Sequence, residues 1–257
     1  KIIKQCKKSK IKFLTSPFSI EGLKIVKKLN LGIVKIPSGE INNLPYLEYA
    51  GKLKKKVFLS TGMSNLSEIR KAIKILCKNG TKKRDITVLQ CNTAYPTPIE
   101  DANLNALKTL KKVLNTNVGY SDHTLGIEAS LTATALGAVV IEKHLTLNNK
   151  MKGPDHKASL NPKVFKIMTD SIRIVEKTLG TNKKKVTPSE KKNINIVRKS
   201  IVAKKNISKG EVFSEMNLSI KRPGTGISPL HWYKIMGKKS KKNYKSDDLL
   251  KKIEIYK

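Results

Sequence analysis

Short apolar runs recur along the first two thirds of the chain, each followed by a longer stretch with helical spacing. The runs are Lys12–Leu14, Ile33–Ile36, Val57–Ser60, Thr87–Cys91, Val118–Ser121 and Val139–His144, and they begin 21 to 31 residues apart. That interval is the length of a βα unit, so the pattern predicts a parallel sheet with helical crossovers. Between the third and fourth runs, Leu66, Ile69, Ile73 and Leu76 fall on one helical face. Asn65 with Glu68 three residues on forms a capping box, and Gly80 supplies the stop. A further helix is expected from Pro162 to Leu179, with Val164, Ile167, Met168, Ile172 and Val175 at helical spacing and Gly180 at its end. Residues 1–180 are thus read as one α/β domain.

From 181 to 195 the sequence turns rich in Lys, Ser, Pro and Asn without an apolar period, which reads as a linker. Residues 196–257 carry short β-like runs, Ile201–Ala203 and Glu211–Phe213, and a turn-rich segment from Lys221 to Ile227. A domain this small buries little of its own core and is expected to dock on another surface. His231 and Trp232 are expected to pack inside it.

Charge alters the picture less than its size suggests. The 257 residues carry a formal net charge of +34, which points toward anionic partners. Only five of the 53 basic residues are arginine, however, and base-edge readers favour the arginine fork. The lysines travel with Ile and Asn, the mix that A/T-rich codons produce, so no specific nucleic acid is expected. Three cysteines without paired spacing, no secretory signal and no long apolar run point to a soluble, cytoplasmic protein that does not enter a membrane.

Polar groups gather where the apolar runs end, and in parallel βα folds the C-terminal strand ends form the active face. No glycine-rich phosphate loop follows the first run, so a barrel is favoured over a doubly wound sheet. His123 and His144 follow two neighbouring strands and could converge as an open divalent-metal site, or pack as core histidines. Glu142 shares the side of His144 and could hold a substrate hydroxyl or a metal-bound water, or else pair with Lys143 or Lys35. Lys35 and Glu40 bracket Pro37-Ser38-Gly39, where an ammonium and backbone N–H groups could hold a phosphate or carboxylate while Glu40 moves a proton. The alternative there is a turn lysine and a helix-starting glutamate. Ser16, Ser60, Thr93 and Ser121 are strand-end hydroxyls that suggest an oxyanion pocket together, although each alone suits a turn or cap. Cys91 has no acid or base partner by sequence and reads as structural. Asp155 and His156 lie on a loop able to close over a substrate.

Several stretches together resemble the sialic acid synthase family, the bacterial N-acetylneuraminate synthases and the similar legionaminate synthases. They are Phe13 to Ser19, Lys35 to Glu40, Leu59-Ser60-Thr61-Gly62-Met63, Cys91 to Pro98, Gly119-Tyr120-Ser121-Asp122-His123-Thr124, Glu142-Lys143-His144 and Gly153 to Leu160. Arg198-Lys199-Ser200 and Lys221 to Ile227 resemble the family's small antifreeze-like (SAF) domain. The resemblance implies a (β/α)8 TIM barrel with a β-rich SAF lid, in a homodimer whose lids are exchanged.

It also implies metal-dependent condensation of phosphoenolpyruvate with an N-acetylated hexosamine, giving a nine-carbon keto acid and phosphate. N-acetylmannosamine giving N-acetylneuraminate is the first expectation, and a diacetamido-trideoxy hexose giving legionaminate is the alternative. By this analogy His123 and His144 bind Mn²⁺ or Mg²⁺. Lys35, Ser16, Ser38, Ser60, Thr93 and Ser121 surround phosphoenolpyruvate, and Glu40, with Lys35 and Glu142, serves catalysis. Tyr95, Glu142 and Asp155 orient the sugar, and Arg222 reaches its N-acetyl group from the partner subunit. Thr93 stands where the family has asparagine, with Asn92 one position earlier. Family members begin earlier, with two more strands that carry a glutamate and a glutamine. The expectation is therefore a barrel lacking its first two strands, and an inactive remnant that binds anionic polymers is a further alternative.

Overall fold

A computed structural model describes residues 1–254, which fall into two compact units, Lys1–Gly180 and Thr181–Lys257. In the first unit the elements are α1 (Ile2–Lys8), α2 (Ile20–Lys28), β1 (Ile33–Ile36), α3 (Leu44–Lys52), β2 (Lys56–Ser60) and α4 (Leu66–Lys78). Then follow β3 (Ile86–Cys91), α5 (Ala106–Leu114), β4 (Asn117–Asp122), α6 (Glu128–Ala135), β5 (Ile141–Lys143) and α7 (Pro162–Leu179). The five strands form one parallel sheet in the order β1-β2-β3-β4-β5. Strand order that follows chain order without reversal is a singly wound sheet, an arc of a barrel, and it has no topological switch point.

Alternation along the strands sorts the side chains. Val34 and Ile36, Val57 and Leu59, Ile86 and Val88, and Val118 and Tyr120 all point to one face. There they join the buried faces of α2 to α5, with Leu23, Val26, Leu47, Ile69, Leu76, Leu107 and Leu110 in a single core. The opposite parity carries Lys35, Ser60, Cys91, Ser121 and Glu142, the polar groups at the strand ends. The helix after β2 starts at Asn65, whose side chain accepts from the Ser67 and Glu68 N–H groups while Glu68 returns a bond to the Asn65 N–H. Helix α7 spans the expected residues, capped by Asn161. Its apolar stripe is only partly covered: Met168 and Ile172 are buried against Leu131 of α6, whereas Ile167 is exposed.

Three sequence expectations change. Lys12–Leu14 is not a strand, because no backbone ladder joins it to β1 among the described residues, and extended chain without a ladder partner is loop. Five strands are therefore seen where six were expected, and among the described residues β1 and β5 do not pair to close the sheet. The stretch read as a linker, 181–195, holds most of α8 (Pro188–Val197), which runs on past its expected end. Its signal is local: Thr187 and Glu190 make a capping box and Pro188 occupies the first helical turn, so capping starts a helix where apolar period is missing.

In the second unit β6 (Ser200–Ala203) pairs antiparallel with β7 (Leu218–Lys221), and a short α9 (Trp232–Ile235) follows. The run at Glu211–Phe213 makes a single bridge, Val212 to Lys239, and no strand. The unit has a core of its own, built from Ile201, Ile207, Phe213, Leu218, Ile227, Ile235, Tyr244 and Leu250, with Trp232 packed against it. No helix among the described residues is long and apolar enough to cross a membrane.

Replacing Asn65 by Ala removes both bonds to the first turn of α4 and is expected to lower stability by about 1 kcal/mol. A urea titration followed by circular dichroism checks this, with the midpoint falling at unchanged slope.

Candidate functional site

The chemistry collects in a cavity of about 480 Å³ at the C-terminal strand ends. Its wall includes Lys35 from β1, Ser60 from β2, Cys91 from β3, and Ser121 and Glu142 from β4 and β5. His123 and His144 lie two residues beyond Ser121 and Glu142, so extended chain gives each the same parity as the residue before it. Ser16, Ser38, Thr93, Tyr95 and Asp155 come from the connecting loops. A larger groove, about 750 Å³, lies between the N-terminal ends of α4 and α5. It holds neither imidazole nor Lys35, so the smaller cavity is the candidate site.

Charge in the cavity is tightly paired. Lys35 is 5% exposed, and its Nζ lies 3.2 Å from Glu142 Oε1. The Ser121 hydroxyl donates to the same carboxylate oxygen at 2.7 Å. Of the two partners considered for Glu142, Lys35 is the real one; Lys143 instead pairs with Asp122. Ser60 is 3% exposed and its hydroxyl has no hydrogen-bond partner among the described residues. A buried orphan hydroxyl carries a desolvation cost that a polar ligand would offset.

The chain beside the cavity is close-packed at Gly62, whose N–H donates to Ser38 Oγ at 3.0 Å. A Cβ at this glycine would stand 2.7 Å from Thr93 Cγ2 and 3.0 Å from Ser38 Oγ. Ser38 Oγ also lies 3.3 Å from Cys91 Sγ, which fits the structural reading of that thiol.

The two imidazoles meet edge to face, with centroids 5.3 Å apart, and Tyr95 lies 4.1 Å from the His123 ring and 5.4 Å from that of His144. His123 Nδ1 sits 2.6 Å from the Asn92 carbonyl oxygen. Donation from Nδ1 to that oxygen leaves Nε2, 3.4 Å from Ser121 Oγ, as the nitrogen with a lone pair. Burial pushes the His123 pKa down, against the Asn92 bond that raises it, and so favours the neutral ring. Burial pushes the Tyr95 phenol up, so it remains a proton donor. His144 Nδ1 lies 3.8 Å from Asp155 Oδ2.

A metal ion requires donors of the right chemistry. Among the described residues no group of three or more His, Cys, Asp or Glu is arranged to hold one. Two imidazoles, that of His123 with its Nδ1 against a backbone carbonyl, nevertheless fit an open site whose remaining positions belong to water or substrate oxygens.

The cavity thus brings together Ser16, Lys35, Ser38, Ser60, Thr93, Tyr95, Ser121, His123, Glu142, His144 and Asp155. Glu40 is not among its lining residues: its carboxylate accepts from Asn43 Nδ2 at 2.6 Å, at the start of α3. Arg222 belongs to the second unit, on an exposed turn after β7 that Ser200 ties down through the Pro223 carbonyl at 2.7 Å. Sequence reasoning gave no role to Asp122, which is fully buried and bonded on every side. The available signal was its position between two cavity residues, Ser121 and His123, which turns it toward the core.

Known proteins resemble the chain over most of its length. Residues 1–184 match the NeuB family and residues 198–252 match the SAF domain. The chain is 54% identical over 250 residues to an N,N'-diacetyllegionaminic acid synthase of Campylobacter jejuni, covering 97% of this chain and 75% of that protein. It is 39% identical to the protein of the same name from Legionella pneumophila, covering 91% of this chain and 66% of the relative. Among solved structures, the N-acetylneuraminic acid (sialic acid) synthetase of Leptospira borgpetersenii superposes with a TM-score of 0.71 at 35% identity, over 75% of this chain and 67% of that one. The chain belongs to the NeuB family of sialic acid synthases and carries a SAF domain in its second unit.

Proposed function

We propose that the chain condenses phosphoenolpyruvate with a diacetamido-trideoxy hexose, in open aldehyde form, to give a legionaminic-type nonulosonic acid and phosphate. The choice of acceptor rests on the relatives. The proteins 54% and 39% identical to the chain are named for legionaminic acid, whereas the sialic acid synthetase matches at 35%. This favours the alternative acceptor over N-acetylmannosamine, the first expectation from the sequence.

One observation carries the chemistry: Lys35, Glu142 and Ser121 form a bonded set beside two imidazoles in one cavity. Carbon 3 of the enol attacks the aldehyde carbon, water adds at carbon 2, and phosphate leaves by C–O cleavage. The Lys35 ammonium gives one donor to Glu142 and keeps two for the carboxylate or phosphate of phosphoenolpyruvate. Ser16, Ser38, Ser60, Thr93 and Ser121 supply hydroxyls around it, and the orphan Ser60 gains a partner when the anion binds. Glu142, held by Lys35 and Ser121, would orient the incoming water and take its proton. Glu40, two residues after Ser38 and outside the lining, is a second and less direct base. Tyr95 and Asp155 orient the sugar at the mouth. In a homodimer with exchanged lids, Arg222 would meet the sugar's N-acetyl group. Mn²⁺ or Mg²⁺ held by His123 and His144 would act as a Lewis acid on the aldehyde.

Phosphate release with phosphoenolpyruvate and each sugar in turn tests the acceptor. The diacetamido-trideoxy hexose is expected to give at least tenfold higher kcat/KM than N-acetylmannosamine. The reverse order restores the neuraminate reading, and no release with any acceptor points to a non-catalytic remnant.

Substituting Ala for His123 or His144 is expected to reduce cation-dependent turnover more than 100-fold while the far-ultraviolet circular dichroism is unchanged. Full activity at saturating Mn²⁺ would remove both residues from the site.

Arg222→Ala is expected to raise the sugar KM about tenfold and that of phosphoenolpyruvate less than twofold. Equal effects on both substrates argue against contact with the N-acetyl group.

A further inference from the structure

Two fully buried charges stand one residue before the two imidazoles, and the proposed reaction uses neither. Asp122 precedes His123 at the end of β4, Lys143 precedes His144 at the end of β5, and the two are register partners in the β4–β5 ladder. Their parity turns them away from the cavity. Lys143 Nζ lies 3.0 Å from Asp122 Oδ2, and both side chains are 0% exposed. Asp122 Oδ1 accepts the Thr124 N–H at 2.9 Å and the Thr124 hydroxyl at 2.7 Å, while Oδ2 accepts the Ser130 hydroxyl of α6 at 2.6 Å. Lys143 Nζ also donates to the Thr124 carbonyl at 2.5 Å.

Stability alone does not explain such a pair, because well-packed apolar side chains of similar volume are often equally stable. What the charges add is direction. Strand β5 has three residues, the fewest of the sheet, so its ladder bonds alone hold register weakly. A slip of one residue would turn Glu142 and His144 away from the cavity and bring Lys143 into it. We propose that the Asp122–Lys143 pair, completed by Thr124 and Ser130, is a positioning device that locks the ends of β4 and β5 and fixes the separation of the His123 and His144 rings. It rests on the reading of those histidines as ligands of a divalent cation. Neither charged residue touches substrate; both act through the imidazole that follows.

The test measures Mn²⁺ affinity of the full chain by paramagnetic resonance of the free ion, alongside thermal unfolding. The variants are Asp122→Leu/Lys143→Met, Lys143→Met, Lys143→Arg and Ser130→Ala, with His123→Ala as the control. The double variant leaves no unpaired buried charge but orphans the Thr124 and Ser130 donors, so it is expected to unfold at a lower temperature, remain folded at about 25 °C, and bind Mn²⁺ about 10- to 100-fold more weakly. Lys143→Arg, which keeps the charge, is expected to recover most of the affinity that Lys143→Met loses. Ser130→Ala, which removes one bond to Oδ2 and keeps the ion pair, is expected to weaken binding several-fold and covers the case in which the double variant does not fold. A folded variant with Mn²⁺ affinity within twofold of the parent, while His123→Ala loses it, overturns the positioning role alone. If the parent binds no Mn²⁺, or His123→Ala binds it as the parent does, the histidine reading falls and this proposal with it.

Discussion

Lys35 belongs to β1 and Glu142 to β5, the two edges of a five-stranded sheet, yet their charged atoms are 3.2 Å apart. On a flat sheet four strand spacings separate those edges by about 19 Å, farther than a lysine and a glutamate can reach together. The ion pair therefore requires a sheet curled into an arc, with the polar parity on its concave side. Everything in the site follows from that curvature. Hydroxyls that would stand in a row on a flat sheet instead converge on a common volume, and the buried ammonium has a countercharge that offsets its desolvation. The singly wound strand order provides the curl, and the pair ties its edges across the cavity.

The same alternation explains why structural and functional charges are neighbours in sequence. Along β4, Tyr120 and Asp122 face the helices while Ser121 and His123 face the cavity. Along β5, Ile141 and Lys143 face the core side while Glu142 and His144 face the cavity. Each strand end does two tasks through opposite parities, one anchoring and one chemical. The burial that pushes the Tyr120 phenol pKa up, with Asp122 beside it, belongs to the anchoring side. The burial that keeps His123 neutral belongs to the chemical side.

How much of this was legible in the sequence depends on how local the cause is. Strands β1 to β4 and helices α4 and α7 follow from alternation, capping residues and helical period, all short-range signals. The convergence of the strand ends was legible too, because successive βα units with polar termini put those termini on one face. Lys12–Leu14 failed because a strand requires a ladder partner, which no local pattern supplies. Helix α8 was missed because its signal lay in Thr187, Pro188 and Glu190 at its start, whereas the reading sought apolar period. Glu40 was placed by its closeness in sequence to Lys35, but the turn at Ser38–Glu40 carries its carboxylate toward Asn43. Asp122 is not singled out by sequence because a buried acid in a strand-end motif looks catalytic or inert until its bonds to Thr124 and Ser130 and its ion pair with Lys143 are seen.

Acceptor choice is the part that neither periodicity nor fold reaches, and the geometry says why. The residues that would meet phosphoenolpyruvate are on strands or packed against them, and Lys35, Ser60 and Ser121 among them are buried. The residues around the mouth lie on loops and are exposed, among them Phe18, Met63, Tyr95 and Asp155. A second acetamido group or a missing hydroxyl on the hexose would be felt at those loop positions, where a methyl difference is worth about 1–3 kcal/mol and a hydroxyl more if a side chain is built to bond it. Discrimination of that size needs no change in the sheet, in Lys35 or in the imidazole pair. Under the proposed reaction, such a scaffold would keep its strand ends fixed for the enol substrate while its loops choose the sugar.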